Sequence, residues 1–340
     1  MPATPTDTTI TPTALRSISY HGLEPGPGLI VLGAVHGNET CGTEAILRLA
    51  AELERGERAL LRGTLTLVPV ANPLAYQRRQ RMGERNLNRN FRVTDMPQDF
   101  EDRVANRLCP LLAAHDVLLD LHSFHTPGEP FVMLGPENND HGLESFRQAV
   151  EEEALVRRLG PRRIVEGWLD TYAIGVARRL RNPNATLRAQ MLSTDPSYGI
   201  GTTEYMRRQG GYGVTLECGQ HDDPEAPDVA YRAILNTLSH LGLMDLPAPP
   251  PRNDLEVLRL VEVIDRDDVL DRFTRAWQSF DRIQAGEEIG VRADGRSVRS
   301  PADGFIVFPN PNALPGNEWF YRAEISPRAV DGVKSRELPS

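Results

Sequence analysis

The run GLIVLGAV (28–35) is apolar throughout and bounded by glycine and proline, which predicts a short strand buried on both faces. Beyond the polar turn that follows, Ala45, Ile46, Leu49, Ala50 and Leu53 recur at helical spacing. GTLTLVPVANP (63–73) predicts a second strand, DVLLDLHS (116–123) a third and YGVTLECG (212–219) a further one. Helices are expected over 101–114, 141–158, 170–181, 200–209 and 227–243. Strands alternating with helices predict a three-layer α/β domain around a largely parallel or mixed sheet.

The stretch LPAPPPRND (246–254) ends that pattern, because consecutive prolines stiffen the backbone and cannot continue a helix. It is read as a linker between a catalytic domain over 1–245, with residues 1–15 expected to be flexible, and a second domain over 255–340. In the second domain LEVLRLVEVI, GFIVFPNP and EWFYRAEI are separated by Gly, Pro, Asn and Asp, which predicts a small all-β unit.

Composition narrows the classes of partner. With 40% apolar and 25% charged residues in 340, the chain has the profile of a soluble globular protein large enough to bury a substantial core. A net charge of -9 argues against nucleic acid or an anionic membrane as partner. No apolar run has the length of a signal peptide core or a membrane span, so the expected location is the cytoplasm. Lys334 is the only lysine, so abundance alone singles out no arginine. Cys41, Cys109 and Cys218 are too widely spaced for a Cys-x-x-Cys site, which leaves histidine and carboxylate as the metal-binding types.

Candidate chemistry gathers at strand ends. His36 and Glu39 follow the first strand, His122 ends the third and Glu217 ends a later one. In open α/β sheets such positions converge beyond the carboxyl ends of the strands. Two histidines and a carboxylate suit catalytic zinc, and a further carboxylate, Glu217, would take and return a proton. Taken singly, His36-x-x-Glu39 also fits a surface turn running into a helix, and His122 a hydrogen-bonded histidine at a strand end. The arginine-rich stretch QRRQRMGERNLNRNF (77–91) would ordinarily be a solvated loop, but its Asn88-Arg89 pair is suited to gripping a carboxylate.

Together HGNE (36–39), NLNRNF (86–91), DLHS (120–123) and TLECG (215–219) resemble the succinylglutamate desuccinylase/aspartoacylase family, which is related to zinc carboxypeptidases. The resemblance implies a zinc-carboxypeptidase-like domain with a mixed central sheet and a β-rich C-terminal domain. It makes His36, Glu39 and His122 the ligands of one Zn2+ per chain and Glu217 the general base and acid. Asn88, Arg89 and Arg207 would bind substrate, and Arg81 would polarise the scissile carbonyl. The implied reaction is hydrolysis of a small N-acyl amino acid or related N-acyl amine, with no nucleic acid or membrane as partner and a homo-oligomer left open. Asn86 departs from the family, which commonly has Asp there. His125 and His221 are not family ligands and are expected in supporting or surface roles, and Tyr212 fits either the site or the core.

A zinc carboxypeptidase acting on short peptides is the nearest alternative, and a non-catalytic zinc-binding protein of the same fold is the next. A serine hydrolase lacks a Gly-x-Ser-x-Gly elbow, and Cys218 has only its place beside Glu217 to recommend it as a nucleophile.

Overall fold

The computed structural model describes residues 10–181, 194–330 and 333–334, so the first nine residues of the segment expected to be flexible lie outside the described residues. The apolar runs give β1 (Ile18–His21), β2 (Glu24–Leu32), β3 (Arg62–Val68), β4 (Val117–Phe124), β5 (Phe131–Met133), β6 (Arg163–Glu166), β7 (Tyr212–Gln220) and β8 (Glu256–Asp265). The helices between them are α1 (Cys41–Glu54), α2 (Pro73–Arg78), α3 (Phe100–Ala113), α4 (Ala149–Leu159), α5 (Trp168–Arg181), α6 (Thr202–Arg208) and α7 (Ala226–His240). The C-terminal part adds β9 (Arg272–Phe273), β10 (Arg282–Ile283), β11 (Glu288–Val291), β12 (Ser297–Arg299), β13 (Gly304–Val307), β14 (Glu318–Ile325), β15 (Ala329–Val330) and β16 (Val333–Lys334).

Among the described residues, eleven strands form one mixed sheet in the order β1-β3-β2-β4-β7-β5-β6-β8-β14-β13-β10. Its centre is parallel: β2 pairs with β3 and β4, and β4 with β7. Successive residues of the central runs face opposite layers, which is why these strands are apolar throughout rather than alternating. Leu29, Val31, Leu119, Leu121, Val214 and Leu216 meet Ile46 of α1, Leu155 of α4 and Ile234 of α7. Ile30, Leu32 and Leu118 meet Val104, Leu108 and Leu112 of α3 and Met206 of α6. Each such side chain contributes about 1.5–3 kcal/mol by leaving water. The result is the three-layer α/β arrangement expected from the sequence.

One predicted helix is shorter than its spacing implied. Instead of beginning at 141, α4 starts at Ala149, because Asn139 and Phe146 form an isolated bridge and Gly142 has a φ of 83°. That left-handed turn breaks the helix path.

The C-terminal part is β-rich, as expected, and it extends the central sheet. β8 pairs in parallel with β6 from Arg163↔Glu256 to Glu166↔Arg259, and β14, β13 and β10 follow in antiparallel order. β12, β11 and β9 make a separate three-stranded sheet, and Trp277, Ile289, Trp319 and Phe320 fill the small core beside it. Residues 245–255, on the approach to β8, have no helix or strand. Among the described residues, no helix is long and apolar enough to cross a membrane.

Candidate metal centre and substrate cavity

The turn after β2 carries the first two candidate ligands. Ala34 has a φ of 47°, a conformation that costs a non-glycine residue about 1–2 kcal/mol, and Asn72 N donates to its carbonyl at 3.0 Å. The turn then passes so close to α2 that a Cβ on Gly37 would lie 1.9 Å from the carbonyl carbon of Ala75. His36 and Glu39 emerge on either side of that contact, and both are buried.

Glu39 faces both histidines. Its Oε1 lies 2.9 Å from His36 Nδ1 and its Oε2 lies 2.8 Å from His122 Nδ1. Each of the three residues offers a ligand atom within 4.8 Å of the others. The far nitrogen of each ring also has an oxygen beside it: His36 Nε2 lies 3.0 Å from Asn86 Oδ1, and His122 Nε2 lies 3.1 Å from Asp120 Oδ2 as an ion-pair contact without hydrogen-bond geometry. Thr202 Oγ1 donates to the same Asp120 oxygen. An oxygen beside each Nε2 turns both Nδ1 atoms toward Glu39, the arrangement by which metal-binding histidines are oriented. Two imidazoles and a carboxylate, all buried, therefore form a donor set that fits zinc.

The charges are strongly coupled. Burial alone would raise the Glu39 pKa, but the two histidines hold it well below the usual carboxylate range. Burial alone would depress His122, but Asp120 and Glu39 hold it well above the usual histidine value. His36 is pushed down to about 4 by burial and by Arg81.

Glu217 is the register partner of His122 across β4 and β7 and lines the same cavity. Burial pushes its pKa up to about 8, with His122 opposing the shift and Glu39 adding to it. Its Oε2 has no hydrogen-bond partner among the described residues. A buried carboxyl with a raised pKa and a free oxygen is suited to carrying a proton. Arg81 stands at the mouth with about half its side chain exposed, and its Nη1 donates to Glu39 Oε1 at 3.1 Å.

Residues 77–82 of the arginine-rich stretch are exposed, and from Gly83 onward it is organised around a carboxylate. Glu101 of α3 is fully buried and accepts from the backbone N–H of Gly83 at 3.0 Å and of Arg85 at 3.1 Å, and from Asn72 Nδ2 at 2.9 Å. Arg85 pairs with Asp99 and Asp102 at 2.8 and 2.7 Å and donates to the carbonyls of Asn86 and Arg89. This folds the loop so that Asn88 and Arg89 reach the cavity. Asn88 Oδ1 accepts from Thr202 N at 2.9 Å, and a Cβ on Gly201 would come within 2.0 Å of that oxygen. The Arg89 guanidinium lies 4.6 Å from the ring centre of Trp168 and donates to Asn88 O at 2.8 Å. Burial alone would lower its pKa, yet Glu318 holds it raised, so the guanidinium stays a cation.

Arg207 reaches the cavity wall but is engaged elsewhere. Its guanidinium is held by Glu152 at 2.8 and 2.9 Å, by Glu144 at 2.7 Å and by the carbonyl of Gly213 at 2.6 Å. Tyr212 packs in the core. His125 donates from Nε2 to Pro309 O at 2.8 Å, tying the end of β4 to the C-terminal part. The cavity has a volume of about 990 Å³, and Phe308, Glu318 and Tyr321 close its C-terminal side.

Fold and site define a class: a mixed α/β protein with a buried His-Glu-His group, able to hold a metal, at the carboxyl ends of its central strands. Residues 25–146 match the family model described as the succinylglutamate desuccinylase/aspartoacylase catalytic domain. That match takes in three of the four motifs on which the resemblance rests, and TLECG lies beyond it. No curated protein sequence matches. Among solved structures, the chain is similar to a succinylglutamate desuccinylase/aspartoacylase from Rhodobacter sphaeroides, at 19% identity and a TM-score of 0.66 over 92% of this chain and 90% of the other. The ectoine utilization protein EutE (DoeB) from Ruegeria pomeroyi gives 18% identity and a TM-score of 0.66 over 91% and 88%. An aspartoacylase family protein from Mesorhizobium loti gives 21% and 0.62 over 92% and 90%. At these identities the likeness is one of fold, and it extends across the C-terminal β-rich part as well.

Proposed function

We propose that this protein is a zinc-dependent deacylase that hydrolyses the amide of a small N-acyl amino acid or related N-acyl amine. The observation that carries the reading is the meeting, in one cavity, of His36 and His122, which flank the buried Glu39, with Glu217 and the cation of Arg89. The names of the similar structures, desuccinylase and aspartoacylase, support the same class of reaction.

His36, Glu39 and His122 would hold the ion, which when bound supplies Lewis acidity for activating water and polarising an acyl carbonyl. Glu217 takes the proton from the attacking water and returns it to the departing nitrogen, so that a carboxylic acid and a free amine leave. Arg81 donates to the acyl oxygen as negative charge develops there. Arg89, stacked on Trp168, and the Nδ2 of Asn88 bind the substrate's carboxylate. Arg207 holds the cavity wall through Glu152 and Glu144 and positions α6, rather than gripping substrate itself.

The test is bound metal per chain together with amine release from a panel of N-acetyl and N-succinyl amino acids. Near-stoichiometric zinc with amine release is the expected result. Zinc without release from any member would refute the deacylase reading, and a protein that takes up no zinc would refute the metal centre.

A further inference from the structure

Three side chains beside the metal group have no part in that reaction as described: Asn38, Ser123 and His221. They form one chain of contacts. Ser123 Oγ lies 2.8 Å from His221 Nδ1, and Asn38 Nδ2 lies 3.2 Å from His221 Nε2. The chain is built onto the metal group itself, since Asn38 sits between His36 and Glu39 in sequence and Ser123 N donates to Glu39 Oε2 at 3.2 Å.

The proton positions follow from the partners. An amide Nδ2 can only donate, so His221 Nε2 must accept from it, and the ring proton then sits on Nδ1 and is donated to Ser123 Oγ. A neutral ring is required, and burial lowers the His221 pKa in the matching direction. With its Nδ2 fixed on His221, Asn38 leaves its Oδ1 buried with no hydrogen-bond partner among the described residues. A buried carbonyl oxygen left unpaired costs free energy until a donor meets it.

Asn38, Ser123 and His221 all line the cavity with Glu217. The groups assigned to substrate, Arg81, Arg89 and Asn88 Nδ2, are donors, and they answer the acyl oxygen and the carboxylate. The scissile amide carries one donor, its N–H, and Asn38 Oδ1 is a neutral acceptor held in the turn that supplies two metal ligands. We infer that Asn38 accepts a hydrogen bond from the N–H of the scissile amide, with His221 and Ser123 as the positioning residues that fix its orientation. The inference rests on the deacylase reading and narrows it: the substrate is a secondary amide, and an ester of the same shape loses this contact.

The experiment compares kcat/KM for N-acetyl-L-aspartate and N-succinyl-L-glutamate with their oxygen counterparts, O-acetyl-L-malate and O-succinyl-L-2-hydroxyglutarate, with bound zinc measured in every sample. Asn38→Ala is expected to keep its zinc, to lose roughly tenfold or more on the amides and to stay within about threefold on the esters. His221→Ala should lower the amide-to-ester ratio by a smaller factor. Asn38→Asp, which keeps an acceptor, should retain more of the ratio than Asn38→Ala. Equal losses on amide and ester, or an unchanged ratio in both Asn38 variants, would overturn the inference while leaving the deacylase reading intact. Failure of the wild type to hydrolyse these four compounds and every member of the N-acyl amino acid panel would overturn both.

Discussion

His122 and Glu217 occupy matched positions on adjacent parallel strands, so a candidate metal ligand and the candidate proton carrier stand side by side at the carboxyl end of the sheet. Their separation is set by the strand spacing of about 4.8 Å rather than by a loop. Glu217→Gln keeps the shape and removes the titrating oxygen, so it should leave zinc content unchanged and lower kcat by about 100-fold or more. Residual activity within tenfold of wild type would remove Glu217 from the reaction.

Asp120 and Glu39 raise the His122 pKa well above the usual value, which favours a proton on the ring when no metal is bound. Zinc must displace that proton, so apparent affinity is expected to rise with pH and to fall as the solution is acidified. Competition with a chelator at pH 6 and pH 8 measures this. Affinity that is equal at the two values would contradict the assignment of His122 as a ligand.

Asn86 orients His36 through a neutral amide, where His122 has a carboxylate beside its Nε2. A carboxylate partner makes an imidazole a stronger ligand, and such outer contacts are worth about 10- to 100-fold in metal affinity. Asn86→Asp should therefore tighten zinc binding and Asn86→Leu should weaken it, both readable in the same chelator competition. Asn86 Oδ1 also accepts from Asn88 N at 2.9 Å, so the Leu variant should raise KM as well.

Arg89 and Arg207 line one cavity but should respond oppositely. Arg89→Ala removes a cation with no ion pair among the described residues, and is expected to raise KM with little change in thermal stability. Arg207→Met strands Glu152, which is fully buried, and should destabilise the fold by about 3–5 kcal/mol. Thermal melts paired with steady-state kinetics on both variants would separate the two roles.

Much of this was legible in the sequence because the central strands are parallel and buried on both faces, so each announces itself as an apolar run with its chemistry at one end. His36, Glu39, His122 and Glu217 are brought together by that rule alone. Less legible was what depends on pairing across long intervals. Nothing in the local pattern of 255–340 shows that β8 joins β6, and nothing in 77–91 shows that Glu101 gathers the loop. The linkage of His221 to Ser123, 98 positions apart, is of the same kind. Arg207 shows the reverse limit: the resemblance that assigned it to substrate said nothing of the two glutamates that occupy it.

The parallel ladder between β6 and β8 bears on how molecules enter. Swinging the C-terminal part away from the cavity would break four matched residue pairs and the His125–Pro309 bond together. On the side formed by Phe308, Glu318 and Tyr321, admission is then governed by a wall that stays put, like one edge of a sieve. Bulk on the substrate should be penalised in how fast it arrives rather than in how well it reacts once inside.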